Sequence, residues 1–408
     1  MVDLDLINNT KNSDKFLFLD GYGVDLRVND GKLVIKNGDG SKHTFFPKRF
    51  PFDNIIIYGT RGSISFEAVR WITKHNAQIS FINWDGQLLT GVLPPEARQT
   101  KLKFAQYRAY EDSKKRAIAK KLLEAKFQRT KDVLGWLKER YPKVDIDIDR
   151  EVSKLGTTDN IKDMLAIEGR VAHIYWQQII KIIPKKFKFE SRQYTNRPFG
   201  SVDPINTLLN YGYALLEAGC RKAINSVGLD THVGFLHEVT VGKEPLVYDL
   251  QEPFRWIVDV AVIKALENNV FEKNDFIRTG NYNLKLRTSG AKKLTKELEN
   301  QFNEFVSYRG KNRRWSYVIL LKTRELAKYI AGENKGLDFV RPNVELERVD
   351  NNKIREKILS MSYAEAGRLG IGKSTLWYLK RNVKADKSFK IYKKIKNIID
   401  IEVHETEN

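Results

Sequence analysis

Cysteine is almost absent from this 408-residue chain. Cys220 stands alone, so no internal disulfide can form and no metal site can rest on a thiolate cluster. Long apolar runs are missing as well. The greasiest stretch, Trp256 to Leu266, is broken by Asp259 and Lys264 and falls short of the ~20 apolar residues that cross a bilayer. Met1 to Asp5 and Asn8 to Asp14 offer neither a basic n-region nor an apolar h-region, so the expectation is a cytoplasmic protein with no membrane contact. Acidic residues are under-represented: 51 Asp and Glu face 71 Lys and Arg, a net charge of +20. Such a field attracts a polyanion, and nucleic acid is the leading partner class. The competing explanation is a genome rich in AT, which favours lysine, isoleucine and asparagine codons. With 41% hydrophobic, 11% aromatic and 30% charged residues, the composition is that of a folded globular chain of two or three domains.

What is present changes character along the chain. From Lys15 to about Pro94, β-type runs (Phe16–Leu19, Leu33–Ile35, Asn54–Tyr58, Gln78–Ile82) alternate with turn signals such as Asn29-Asp30-Gly31 and Asn37-Gly38-Asp39-Gly40. One helix is expected inside this region, from Ser65 to Lys74, on the spacing of Phe66, Val69, Trp71 and Ile72. After Pro94-Pro95 the pattern turns helical: Lys101 to Tyr141, laced with Lys114, Lys115, Arg116, Lys120 and Lys121, then about 158–182, 203–226, 252–268 and 293–333. Asn334 to about Asn351 reads as a linker. The expected fold is α+β multidomain: a β-rich N-terminal domain (1–95), an all-α domain (96–335), and a linker with a further helical unit and basic tail (336–408).

Helix 158–182 carries a misplaced charge. Thr157, Thr158 and Asp159 offer caps, and Ile161, Met164, Leu165, Ala172, Tyr175 and Ile179 share one face. Glu168 falls within that stripe. A buried, unpaired carboxylate is prohibitively costly, so Glu168 needs a basic partner, a hydrogen-bond network or a metal. Two other stretches bear on the choice: Gly234-Phe235-Leu236-His237-Glu238, and Tyr248-Asp249-Leu250-Gln251-Glu252-Pro253-Phe254-Arg255. Each has a bland reading. A histidine in an apolar run is often a satisfied core residue, Asp249 and Glu252 can form a capping box before Pro253, and Arg255 with Asp259 can be an i,i+4 pair. Taken together, one imidazole and two or three carboxylates form a hard-leaning shell suited to Mg2+ or Mn2+. Ions held this way serve phosphoryl transfer.

These residues resemble the CRISPR-associated integrase family, the metal-dependent enzymes that insert spacers into CRISPR arrays. The resemblance rests on Glu168-Gly169 with Tyr175-Trp176, on Arg197-Pro198, Asp203-Pro204-Ile205-Asn206 and Leu208-Leu209-Asn210-Tyr211-Gly212-Tyr213, and on Gly234-Phe235-Leu236-His237 leading to Asp249 through Arg255. It spans roughly residues 15 to 330. It implies that the β-rich domain dimerises and that the α-helical domain is catalytic. Glu168, His237 and Glu252 would be metal ligands, with Asp249 adjacent as a fourth catalytic residue. The implied reaction is direct transesterification, in which a 3′-hydroxyl of donor DNA attacks a target phosphodiester; disintegration and nicking are implied side activities. Lys243, in the loop Val241 to Pro245, and Arg255 would contact DNA.

The last ~70 residues exceed the ordinary family fold and resemble a helix-turn-helix. Ala366 is followed by Gly370 four residues later and Leu376 ten residues later, with Leu369, Ile371 and Leu379 around them; Glu365 is the one misfit. A second helix from Lys373 would present Lys373, Ser374, Thr375, Tyr378 and Arg381 to a major groove. Trp377 either packs in that hairpin or faces DNA. Lys384, Lys387, Lys390, Lys393, Lys394 and Lys396 extend the basic surface; a helical hairpin packed on the core is the alternative. Within the family, such an extension is a feature of casposases, the integrases of casposon mobile elements in archaea, which act without the small partner protein of CRISPR adaptation. The expected function is thus a casposase acting as a homodimer or higher assembly on double-stranded donor and target DNA, nucleoid-associated when bound. A CRISPR adaptation integrase with its small partner, a non-catalytic helix-turn-helix DNA-binding protein and a tyrosine recombinase are the competing readings. The last lacks its arginine and histidine cluster at a recognisable spacing.

Overall fold

The computed structural model describes residues 15–83, 85–192, 201, 203–279, 283–344, 346, 356, 358–368 and 371–384. Arg197, Pro198, Leu369, Gly370 and the lysines from Lys387 to Lys396 lie outside the described residues. Two compact units are present. One comprises the described parts of 1–132 and 147–344, the other those of 133–146 and 345–408.

The first unit begins with a six-stranded sheet in the order β3-β2-β1-β4-β5-β6. Its strands are β1 (Phe16–Asn29), β2 (Lys32–Lys36), β3 (Lys42–Phe45), β4 (Asn54–Ile64), β5 (Gln78–Ile82) and β6 (Leu88–Val92). Strands β1 and β2 form a hairpin that pairs Asn29 with Lys32. Its two-residue turn places Asp30 at φ 50° and Gly31 at φ 72°, the left-handed pair that matches strand twist. Strand β4 lies parallel to both β1 and β5, and the crossover to β5 carries α1 (Phe66–Lys74), which Ser65 caps by accepting from the Ala68 N–H. Ala68, Trp71 and Ile72 of α1 close the apolar face that Leu17, Leu19, Val24, Leu26, Leu33, Ile35, Ile55 and Ile79 supply.

Helices follow: α2 (Thr100–Glu111), α3 (Lys114–Arg140), α4 (Asp149–Ser153), α5 (Ile161–Ile182), α6 (Pro204–Val227), α7 (Pro245–Gln251), α8 (Arg255–Glu267), α9 (Thr288–Phe302) and α10 (Trp315–Ile330). Helix α6 is the axis. Asp203 caps it, Pro204 opens it, and it ends at Gly228 in the left-handed region, φ 86°. It is buried along most of its length and packs on α7, α8, α9, α10 and strands β5 and β6. The sheet meets the helices through Tyr58, whose hydroxyl donates to the Leu286 carbonyl at 2.7 Å and whose ring packs edge-on against Tyr211.

Four expectations need correction. The helical stretch 293–333 is interrupted by a hairpin, β9 (Phe305–Tyr308) with β10 (Lys311–Arg314), whose turn sets Arg309 and Gly310 at positive φ. A second ribbon pairs β7 (Phe276–Arg278) with β8 (Leu284–Leu286), so the helical region is not purely α. The start of α5 is capped by Asn160 accepting from the Lys162 N–H, not by Thr157, Thr158 or Asp159. The segment after α10, expected as a linker, is tied down through 344: Leu337 and Phe339 are buried, Lys322 donates to the Asp338 carbonyl and Arg129 to the Val340 and Pro342 carbonyls.

In the second unit, α11 (Tyr363–Arg368) and α12 (Lys373–Lys384) pack on each other. Ala366, Ile371, Leu376 and Leu379 are buried as the spacing predicted. Glu365 is explained: it and Ser362 form a capping box, with the Glu365 N–H donating to Ser362 Oγ and the Ser362 N–H to Glu365 Oε2.

Helix α6 has no room opposite α8. A Cβ on Gly212 would lie 2.4 Å from Val258 Cγ1, so Gly212→Ala is expected to destabilise the fold by about 1–3 kcal/mol through overpacking; a urea midpoint equal to wild type would show that α6 and α8 can part freely.

Candidate functional site

Four elements of the first unit bring the predicted residues together. Helix α5 presents Glu168 at the border of its buried face, beside Ile167, Val171 and Ala172. The 3-10 turn Glu252–Phe254 between α7 and α8 presents Glu252, 5% exposed. Between these carboxylates stands Lys126 of α3. Its ammonium pairs with Glu168 Oε1 and, at 2.6 Å, with Glu252 Oε2. Arg255 Nε completes the group by donating to Glu252 Oε1 at 3.2 Å.

The fourth element is the loop before α7. Asp249, wholly buried, accepts from the backbone N–H groups of Phe235 and Leu236 at Oδ2 and of His237 at Oδ1. It also meets His237 Nδ1 at 2.7 Å. In the neutral ring this contact places the proton on Nδ1 and leaves Nε2 with its lone pair. A Cβ on Gly234 would sit 2.8 Å from Asp249 Oδ2 and from the Pro245 carbonyl carbon, so only glycine lets the loop wrap this carboxylate. The capping-box reading of Asp249 and Glu252 is therefore overturned: Asp249 serves a different segment of chain, 12 to 14 residues upstream. Asp259, four residues after Arg255 and within reach of its charge, has other partners as well. It is buried and accepts from the hydroxyls of Tyr175 at 2.9 Å and Tyr213 at 2.5 Å, while the guanidinium of Arg255 lies 4.8 Å from the centre of the Tyr213 ring.

Electrostatics follow from this packing. Burial alone would raise the Glu252 pKa, yet Arg255, Lys126 and His237 hold it down to about 2. Burial opposes charge on Lys126, but Glu252 and Glu168 keep its ammonium well above the ordinary lysine range. Burial is the largest single influence on His237 and pulls its pKa down, but the bond to Asp249 and the charges of Asp249 and Glu252 together raise it. Asp259 is raised by burial, which the two tyrosine hydroxyls only partly offset.

As placed, no three His, Cys, Asp or Glu side chains among the described residues form a metal-holding group. The donor set nonetheless fits a hard divalent cation. Glu252 Oε2 is buried without a well-aligned hydrogen bond, the Lys126 ammonium stands in for a cation between the two carboxylates, and the His237 ring meets the buried Asp249 carboxylate through Nδ1. Lys126 is the residue that sequence reasoning missed.

Of the proposed DNA contacts Arg255 is half-buried beside Glu252, and the others are exposed. Lys243 lies in the turn closed by its N–H donating to the Thr240 carbonyl, with Gly242 at φ 76°. In the second unit Lys373, Ser374, Thr375, Tyr378 and Arg381 line the outer face of α12. Trp377 is settled as an outward residue, 54% exposed, with the Arg381 guanidinium 5.3 Å from its ring centre.

Residues 17–300 match the family model for CRISPR associated protein Cas1. The chain belongs to that family, which makes it a DNA nuclease/integrase-class enzyme. Within the class, it is 50% identical to a casposase whose structure was solved bound to an integration product; the likeness covers 86% of this chain and 99% of that one, with a TM-score of 0.80. A CRISPR-associated endonuclease Cas1 from Archaeoglobus fulgidus is 28% identical over 345 residues, 80% of this chain and 99% of the relative. A CAS1 protein from Thermotoga maritima shares the fold at 21% identity and a TM-score of 0.67, over 82% of this chain and all of that one. No described helix is long and apolar enough to cross a membrane.

The low pKa of Glu252 makes an acid-stability test possible. Its unfolded value is ~4.3, so its contribution is fully present above that pH and is lost as pH falls toward about 2. Urea midpoints measured in EDTA from pH 6 to 2.5 are expected to fall less steeply for Glu252→Gln than for wild type; parallel slopes would mean the carboxylate is not paired in solution.

Proposed function

We propose that this Cas1-family enzyme is a casposase-type DNA integrase that joins the 3′-hydroxyl ends of donor DNA to target DNA by metal-dependent transesterification. The observation that carries the reading is the convergence of Glu168 and Glu252, from separate elements, on one cation beside an imidazole whose Nδ1 is committed to Asp249. A purely structural ion pair needs neither the second carboxylate nor the oriented histidine. Glu168, Glu252 and His237 Nε2 would hold Mg2+ or Mn2+, and Asp249 would position the imidazole. When bound, the ion supplies Lewis acidity to the phosphodiester and polarises the attacking hydroxyl.

The residues of the chain do the rest. In the reaction a bond forms between the donor 3′-oxygen and the target phosphorus, and the bond from phosphorus to the target's own 3′-oxygen breaks. The attacking hydroxyl loses a proton and the departing oxygen gains one. Arg255 is held by Glu252 on one side and by the Tyr213 ring on the other, so its guanidinium is oriented before DNA arrives, which lowers the cost of positioning a phosphate. The turn with Lys243 and the outer face of α12 would take the DNA backbone and groove, the latter as the second helix of a helix-turn-helix. A homodimer or larger assembly on double-stranded donor and target DNA is part of the proposal, as is the division into a β-rich dimerisation domain, a catalytic domain and a C-terminal DNA-binding domain. The 50% identity to a casposase supports the casposon reading. The curated Cas1 endonucleases at 28% identity support the second one, CRISPR adaptation with a small partner protein.

Strand transfer of a short 3′-hydroxyl duplex into plasmid by the purified protein alone, with Mn2+ or Mg2+, separates the two. Autonomous joining is the expected result, and a requirement for a partner protein would favour CRISPR adaptation. Glu168→Ala, His237→Ala and Glu252→Ala are each expected to abolish joining while leaving DNA binding in place; activity retained in all three would overturn the assignment of the site. For α12, the double change Lys373→Ala with Arg381→Ala is expected to weaken binding and make the plot of log affinity against log salt shallower by about 1 to 2. An unchanged slope would place the DNA elsewhere.

A further inference from the structure

Lys126 sits in the one position that a cation bridging Glu168 and Glu252 must take. Its Nζ contacts Glu168 Oε1 and lies 2.6 Å from Glu252 Oε2, distances at which its own charge and volume exclude a second cation from the same oxygens. Helix α3 is buried on several sides there: Leu122, Leu123, Ala125, Phe127 and Arg129 surround the position and are themselves at most 3% exposed. The lysine therefore reaches the carboxylates from a rigid base. Solvent reaches little of the lysine, whose side chain is 15% exposed. Its neighbours Lys120 and Lys121 instead spend their charge on the Gly156 carbonyl and on Glu124.

We infer that Lys126 is a built-in competitor for the metal: its ammonium holds the two carboxylates together when no divalent ion is bound, and it must withdraw for the ion to enter. The inference rests on the metal-site reading proposed above. Two consequences follow from charge alone. The site stays assembled without metal, because Glu168 and Glu252 never face each other unscreened. Metal affinity is lower than the donor set would otherwise give, since binding includes breaking two ion pairs. A withdrawn ammonium close to the reacting centre is then free to pair with a phosphate oxygen, so DNA and metal would bind with mutual assistance.

The test measures metal binding, not activity. Mn2+ titrations of the full-length protein without DNA, followed by the EPR signal of free Mn2+, are to be compared for wild type, Lys126→Met and Lys126→Arg. Lys126→Met keeps much of the length and removes the charge, so its affinity for Mn2+ is expected to tighten roughly 5-fold or more, within the ~5–150-fold range of typical coupling. Lys126→Arg keeps the charge and is expected to match wild type or bind more weakly. Equal or weaker binding by Lys126→Met, or equal tightening by Lys126→Arg, overturns the inference while leaving the metal site itself intact. Absence of Mn2+ binding in wild type and in all variants overturns the underlying reading instead. Should Lys126→Met fail to fold, wild type supplies the answer: pulsed acetylation read by peptide mass spectrometry is expected to label Lys126 faster once EPR shows Mn2+ bound, with Lys121 as reference. A rate that stays level or falls overturns the inference.

Discussion

Two carboxylates brought together inside a protein repel each other and lose their water, and neither cost is small. The first unit is arranged around an answer to that difficulty. Lys126 on α3 and Arg255 on α8 grip opposite oxygens of Glu252, and Lys126 also takes Glu168 of α5. Three helices and the 3-10 turn after α7 are thereby tied at one point by charge. The apolar packing around α6 sets the distances at which this happens, and the ion pairs fix which side chains meet.

Asp249 solves a related problem by different means. It has no ammonium beside it among its described contacts; it is held by N–H groups, three from the backbone and one from the His237 ring. Backbone donors cannot rotate away, so the loop from Phe235 to His237 and the imidazole are fixed together. This explains why Gly234 is needed and why the histidine is oriented by Asp249. The imidazole is oriented mainly by Asp249, whereas the two glutamates are balanced mainly by Lys126 and Arg255.

Much of the fold could be read from periodicity. The turn Asp30-Gly31, helix α1 and the buried positions of α11 and α12 follow from local rules that the tertiary structure respects. The hairpin at 305–314 was hidden because its turn uses Arg309-Gly310, a weak signal, between two stretches that do form helices. In the site, Glu168 was visible because a charge on an apolar stripe violates a pattern. Lys126 was not, because it follows a run of solvated lysines from Lys114 to Lys121 and differs from them only in what surrounds it. The available signal was apolar residues on both sides, Leu122, Leu123, Ala125 and Phe127, which leave no polar face for a lysine to occupy.

The same comparison bears on how a site of this kind keeps its ion. A shell of two carboxylates and an imidazole, with no competing cation, would bind divalent metal whether or not DNA was present. A nuclease charged in that way risks cutting whatever phosphodiester reaches it. An ammonium placed between the proposed ligands would weaken the ion's hold on the free protein and would give the phosphate backbone a way to restore it, by offering the displaced lysine a new anionic partner. Binding energy from DNA would then be spent on loading the site, and phosphodiester chemistry would be tied to the presence of correctly seated DNA.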